Sequence, residues 1–205
     1  MRLKALLIDL DGVLRQWPSN DAAIEISHGL ALGSIRTAAF EPSLLAQAIT
    51  GQISDDAWRE KIAEALQVQR GGSELKGAIL QWSAQLGKIN QEVLAVITSL
   101  PIDISLVLVT NATSRLDDDL SALGLNQTFT AVVNSSAIGV VKPNRIIFDA
   151  ALAEVNCLPN EAVFIDDSPQ NVEAALALGI VAHQFVNVEM MKNFLSTTGI
   201  IDDSN

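Results

Sequence analysis

Lys4-Ala5-Leu6-Leu7-Ile8-Asp9-Leu10-Asp11-Gly12-Val13-Leu14 begins as an apolar run and ends in two acids one residue apart, followed by a glycine. The unbroken apolar stretch at 5–8 predicts a strand buried on both faces of a sheet. Such a strand cannot hold an unpartnered carboxylate. Asp9 and Asp11 are therefore expected where the strand ends and the chain turns. In a parallel sheet, ligands bind beyond that edge. In an extended chain, side chains two residues apart point the same way. Two carboxylates sharing one site repel each other, and a hard cation with oxygen ligands, best matched by Mg2+, relieves the repulsion. Gly12 lets the turn bend sharply or approach a ligand closely.

The same signature returns downstream. Ile104-Ser105-Leu106-Val107-Leu108-Val109 reads as a strand ending in Thr110-Asn111. Thr130-Ala131-Val132-Val133 reads as a short strand, and Lys142-Pro143 follows it. Ala162-Val163-Phe164-Ile165 ends in Asp166-Asp167, and residues 180–184 read as one more strand. Helical patterns at 91–99, 113–123, 143–155, 169–178 and 188–195 alternate with these strands. Pro143 is expected to open the third of them. Strands alternating with helices predict an α/β fold, a Rossmann-like parallel sheet with helices on both faces. Right-handed crossovers then gather the polar strand ends at one edge.

Residues 19–87 carry helical signals only. Ala22, Ala23, Ile26 and Leu30 suggest one apolar face, and Ser19 or Asp21 a cap. Pro42 opens a helix running to residue 49. Ser54 caps another, with Trp58, Ile62, Ala65, Leu66 and Gln69 as its stripe, and Gly71-Gly72-Ser73 ends it. Leu75, Ile79, Trp82 and Leu86 mark a last one. Such a block is too long for a simple crossover and is expected to pack as its own bundle. The predicted organisation is a core of residues 1–14 and 96–205, with an inserted helical cap at 15–95. Closing such a lid keeps water from an activated group.

Composition narrows the function. Hydrophobic residues make up 49% of the 205, enough for a sizeable core. With 24 acidic and 13 basic residues the formal net charge is −11, which argues against nucleic-acid or anionic-membrane partners. No signal peptide and no run of about 18 apolar residues is present, so a soluble cytoplasmic protein is expected. The single cysteine, Cys157, excludes an internal disulfide framework and reads as a small buried thiol. Two histidines without a Cys/His cluster offer no structural zinc site. A monomer and a homodimer are both compatible with the pattern.

Asp9-Leu10-Asp11-Gly12-Val13, Thr110-Asn111, Lys142-Pro143 and Asp166-Asp167-Ser168 with Asn171 resemble, in order, the four motifs of the haloacid dehalogenase superfamily. The helical block lies where that family inserts its small cap. Residues 164–175 are similar to the phosphatase-like members. The resemblance implies a Mg2+-dependent phosphatase acting on a small phosphorylated metabolite. In it Asp9 is the nucleophile, and Asp11 protonates the leaving oxygen and then activates water. Thr110, with Asn111 beside it, binds phosphoryl oxygens, and Lys142 offsets charge. Mg2+ is held by Asp9, the Asp11 backbone carbonyl and Asp167, with Asp166 as a further ligand or an outer carboxylate that Asn171 orients.

Chemistry supports these roles independently. An anionic carboxylate approaches a phosphate dianion only when cations screen both. Trp17 lies near the catalytic loop and is a candidate substrate contact, as are Arg36 and Glu41. Trp58 and Trp82 read as core, and Asp117-Asp118-Asp119 as a solvated helix start. Three alternatives remain at this point: hydrolytic dehalogenation of a haloacid, a catalytically silent phosphate- or Mg2+-binding module, and a phosphate-transferring mutase. Dehalogenation needs neither metal nor acid, so Asp11 argues against it. The few cations of residues 15–95 favour a monophosphate, a sugar phosphate among the possibilities, over a bisphosphate.

Overall fold

The computed structural model describes residues 2–17, 20–70 and 75–201. Within them run seven strands, β1 (Ala5–Ile8), β2 (Arg15–Gln16), β3 (Lys88–Ile89), β4 (Ser105–Thr110), β5 (Ala131–Asn134), β6 (Ala162–Asp166) and β7 (Val181–Gln184). The helices are α1 (Asp21–Ser27), α2 (Ser34–Ala39), α3 (Pro42–Ile49), α4 (Asp55–Arg70), α5 (Lys76–Ser83), α6 (Gln91–Thr98), α7 (Leu116–Ala122), α8 (Ser135–Ile138), α9 (Arg145–Glu154), α10 (Pro169–Ala177) and α11 (Val188–Thr197). Five strands form a parallel sheet in the order β5-β4-β1-β6-β7. The fold is α/β and Rossmann-like. Strand β1 sits at its centre, with Ala5 opposite both Ser105 and Ala162.

Alternation along the strands builds two cores. Leu6, Ile8, Leu106, Leu108, Val163 and Ile165 face α6, α7 and α11. Ala5, Leu7, Val107, Val109 and Phe164 face α9 and α10, where Phe148 meets Phe164 edge-on at 5.2 Å. Each fully buried Leu or Phe contributes about 1.5–3 kcal/mol, which is why the sheet can carry charged groups at its edge. A third cluster, around Ile35, Trp58, Ile62, Leu66 and Leu75, binds α1 to α5 to one another. No helix among the described residues is long and apolar enough to cross a membrane.

The structure departs from the sequence expectations in a few places. The loop-like stretch after Leu14 contains β2, which pairs antiparallel with β3, Arg15 opposite Ile89. The two ends of the helical block are thus stitched into a short ribbon. In α1 the inward residues are Ile24 and Glu25, and Ile26 is 69% exposed. Glu25 turns inward because its carboxylate accepts from Gly33 N (2.7 Å) and Ile35 N (2.9 Å), capping α2. Pro143 does not open α9. Asn144 caps it by accepting from Ile146 N, and the helix starts at Arg145. Ser19, the Gln69 side chain and Gly71-Gly72-Ser73 lie outside the described residues.

Candidate active site

Three strand ends and one loop meet at the carboxyl edge of the sheet. Asp9 follows β1, its N–H donating to Ile165 O at 3.0 Å, while Asp166 is the last residue of β6 and Thr110 the last of β4. Lys142 lies between the first two. Its Nζ is 2.8 Å from Asp9 Oδ1 and 2.6 Å from Asp166 Oδ2. Asn111 holds the Lys142 main chain from both sides, donating to its carbonyl (3.1 Å) and accepting from its N–H (2.8 Å). Both ends of the Asn111 side-chain amide are thus engaged in positioning the lysine. Asp166, fully buried, also accepts from Ser168 N (2.8 Å) and from Asn171 Nδ2 (2.9 and 3.0 Å). A carboxylate so surrounded is fixed in place, and it fixes Lys142 in turn.

One carboxylate oxygen from each of Asp9, Asp166 and Asp167 lies within 4.8 Å of the other two. The three acids converge on one another, all offering hard oxygen ligands, and the Lys142 ammonium pairs with two of them. That donor set suits a divalent cation such as Mg2+. Burial raises Asp9 to about 7; Lys142 pulls it down and Asp166 pushes it up. Asp167, on the solvent side, is raised by burial first and by Asp166 next. Gly12 makes the crowding possible. At φ +88°, it passes so close to Asp167 that a Cβ there would lie 2.1 Å from Oδ2.

Asp11 sits differently from Asp9. Its carboxylate accepts from Arg15 Nε (2.7 Å), Arg15 Nη2 (2.9 Å) and Trp17 Nε1 (2.7 Å). Arg15 is buried and reaches Asp119 as well, at 3.0 Å. Burial opposes the arginine's charge, but Asp11 and Asp119 more than restore it, and its pKa is raised. Its guanidinium lies 4.5 Å from the centre of the Trp17 ring.

The helical block docks on the loops after β4 and β5. Asp55 N donates to Ser114 Oγ at 2.9 Å, and Thr113 Oγ1 donates to Asp55 Oδ1 at 2.7 Å. Ser135, fully buried, donates to Ile49 O at 2.6 Å, and Arg115 Nη1 donates to Ser83 O at 2.8 Å. Between the block and the sheet edge lies a cavity of about 220 Å³, opening from Asp11 and bounded by residues of both sides.

Sequence reasoning therefore located Asp9, Asp11, Thr110, Lys142, Asp166, Asp167 and Asn171 at one edge. Trp17 adjoins Asp11, and Arg36 lines the cavity. Glu41 caps α3, its carboxylate accepting from Ser43 N and Leu44 N. Asp119 is no solvated helix start, since it pairs with Arg15 and Arg115. Trp58 and Trp82, read as core, also line the cavity. Arg15, Asp55 and Ser135 were missed. Their partners lie 104, 58 and 86 residues away in the chain, and no local pattern marks them.

A family model for "Haloacid dehalogenase-like hydrolase" matches residues 48–184. Among curated proteins, bifunctional epoxide hydrolase 2 of Mus musculus is 26% identical over 203 residues, covering 88% of this chain and 36% of the mouse protein. The chain thus spans about a third of the length of the first curated relatives it matches. Among solved structures, a HAD family enzyme from Bacteroides thetaiotaomicron, in complex with magnesium and inorganic phosphate, matches with a TM-score of 0.73 at 24% identity, covering 89% of this chain and 93% of that one. L-2-haloacid dehalogenase from Xanthobacter autotrophicus, with chloropropionic acid covalently bound, matches with a TM-score of 0.65 at 15% identity, covering 97% and 84%. At these identities the solved structures share the fold.

Proposed function

The chain belongs to the haloacid dehalogenase-like hydrolases, and from that premise we propose that it is a Mg2+-dependent phosphomonoesterase working through a phosphoaspartyl intermediate on Asp9. The observation that carries the reading is the convergence of Asp9, Asp166 and Asp167, with Lys142 bridging the first two. A dehalogenase has no use for so many acids, because it needs no cation at its nucleophile. A phosphatase does need one, because nucleophile and substrate are both anions.

Asp9 makes its contacts to Lys142 and Leu10 N through Oδ1. Its Oδ2, outside both, attacks phosphorus. As the Asp9–phosphorus bond forms, the bond from phosphorus to the ester oxygen breaks, and Asp11 gives that oxygen a proton. In the second half, Asp11 takes a proton from water as the water oxygen attacks phosphorus, and the bond to Asp9 breaks to release inorganic phosphate. With three N–H donors on it, Asp11 stands here as an acceptor, the form the second half requires. Lys142 neutralises Asp9, and Asp166 with Asn171 and Asn111 keeps Lys142 in position. Thr110, at the end of β4, borders the phosphoryl position. Asp9, Asp167 and the Asp11 carbonyl would hold Mg2+, with Asp166 behind them. Bound there, the ion supplies positive charge to offset the phosphoryl oxygens.

In this reading residues 15–95 act as a cap over a core of residues 1–14 and 96–205. The bonds from Ser135, Thr113 and Arg115 support a cap held shut. The partner is a small phosphorylated metabolite. A single free cysteine, Cys157, fits a reducing compartment such as the cytoplasm.

The test is phosphate release from simple phosphomonoesters with Mg2+ or a chelator, for wild type and Asp9→Asn. Activity is expected only for wild type with Mg2+. Hydrolysis that survives both chelation and Asp9→Asn refutes the mechanism, and halide release from 2-chloropropionate without metal supports dehalogenation in its place.

A further inference from the structure

All three tryptophans of the sequence line the cavity that opens from Asp11. Trp58 and Trp82 stand 5.7 Å apart on one wall, Trp17 borders the acid, and Phe40, Leu45 and Ile49 add apolar surface. Four aromatic rings at one site are an unusual concentration in a chain with only 4% aromatic residues. The charged groups among them are already matched. Arg15 is paired with Asp11 and Asp119, Arg36 with Asp21 at 3.5 Å, and Arg59 with Asp55. Each of these arginines also lies against a ring, 4.5 Å from Trp17, 5.0 Å from Phe40 and 5.5 Å from Trp82.

We propose that this cavity takes the leaving group of the substrate, and that the substrate is the phosphate monoester of an aromatic or otherwise apolar alcohol. The inference rests on the phosphatase reading, because it uses Asp11 as the residue nearest the ester oxygen. The alcohol that Asp11 protonates must then lie on the side of Asp11 that the cavity occupies. A second phosphate finds no arginine there without a carboxylate. A sugar fares little better. Its hydroxyls would compete with pairs already made by Asp11, Asp55, Asp119, Asn111 and Thr113, and a polar group buried without a partner is costly. The rings, each already against an arginine, together with Leu45, Ile49, Ala112 and Leu116 leave most of the remaining wall apolar. Size agrees: a cavity of about 150 Å³ accepts benzene, so one of 220 Å³ takes a ring with a short arm.

The chain contains no tyrosine, so its intrinsic fluorescence comes from these three tryptophans. Two measurements on the intact Mg2+-loaded protein test the proposal. The first compares kcat/KM for 2-phenylethyl phosphate, glycerol 3-phosphate and glucose 6-phosphate. The phenylethyl ester is expected to lead by about tenfold, the scale of one aromatic contact. In Trp82→Leu that ratio should fall toward unity, and a ratio does not depend on how much of the variant folds. The second titrates benzylphosphonate, which cannot be hydrolysed, against methylphosphonate and follows tryptophan emission. Only the benzyl compound is expected to change it at low concentration. Equal or better turnover of the sugar ester, or an unchanged ratio in Trp82→Leu, overturns the proposal while leaving the phosphatase reading intact. No hydrolysis of any ester, with benzylphosphonate still altering the emission, defeats the phosphatase reading and supports the apolar-ligand cavity. Failure of benzylphosphonate to alter the emission overturns the proposal by itself.

Discussion

Replacing Gly12 by alanine separates the metal site from the fold. A Cβ at residue 12 would stand 2.1 Å from Asp167 Oδ2 and 2.6 Å from its Cγ. Ordinary contact begins at 3.4 Å, so the oxygen must retreat from 2.1 to 3.4 Å, a shift of 1.3 Å. The clashing atom is the tip of a flexible side chain, so the fold gives way cheaply at that point. The metal does not: Mg2+ holds its oxygens at about 2.0–2.1 Å in near-ideal geometry, and a ligand displaced by more than an ångström leaves its shell. Mg2+ affinity should fall by at least the roughly 10–100-fold that follows loss of an outer partner. Backbone strain is the second cost. At φ +88° a side chain costs about 1–2 kcal/mol, and each kcal/mol lowers Tm by about 2–4 °C at this chain length. Titration calorimetry with Mg2+ measures the first effect and thermal melts in chelator the second. Asp167→Asn should weaken Mg2+ binding without the loss in the melt. Gly12→Ala protein that binds Mg2+ as tightly as wild type would refute the assignment of Asp167 as a ligand.

Three further outcomes are expected. Asp9, raised by burial to about 7 in the fold from 3.8, holds a proton between those values that the unfolded chain has released. Its contribution to the stability of the metal-free protein is therefore fully present below pH 3.8 and lost as the pH rises to about 7, and a melt series in chelator should show a shallower decline for Asp9→Asn than for wild type. Because Mg2+ must displace that proton, its affinity should climb about tenfold per pH unit up to about pH 7 and level off above, which calorimetry across buffers of different ionisation enthalpy will read. Lys142→Met removes the ammonium shared by the buried carboxyl groups of Asp9 and Asp166 and should cost about 3–5 kcal/mol in denaturant unfolding without metal, with partial recovery in Mg2+. Ser135→Ala removes the donor to Ile49 O and leaves that carbonyl unsatisfied at a cost of about 1–3 kcal/mol, seen as faster amide exchange around residues 49–55.

The sheet and the catalytic edge were legible because both are written locally. An apolar run that turns polar at Asp9, Thr110 or Asp166 announces a strand end, and three such endings in a parallel sheet must share an edge. What was not legible depends on distant partners. Arg15 reads as a loop cation until Asp119 comes to meet it. Ile24 and Ile26 exchange roles because Glu25 turns inward to cap a neighbouring helix, which seven residues of periodicity cannot announce. Pro143 was placed inside a helix that Asn144 begins, since a helix-opening proline and a proline one residue outside look alike in sequence. The cavity wall was missed for a related reason. Trp58 and Trp82 do pack in the bundle core, and only the approach of the sheet edge shows that they also face a hollow.

The central place of β1 bears on how the protein is made. Its two neighbours in the sheet, β4 and β6, are encoded about 100 and 157 residues later. During synthesis the Ala5–Ile8 segment precedes both neighbours and waits, sticky and without hydrogen-bonding partners, until they follow. Such long-range pairing is slow to complete. Nascent chains of this protein are thus natural clients for chaperones, and a truncated translation product lacking β6 has a nucleophile with nowhere to work.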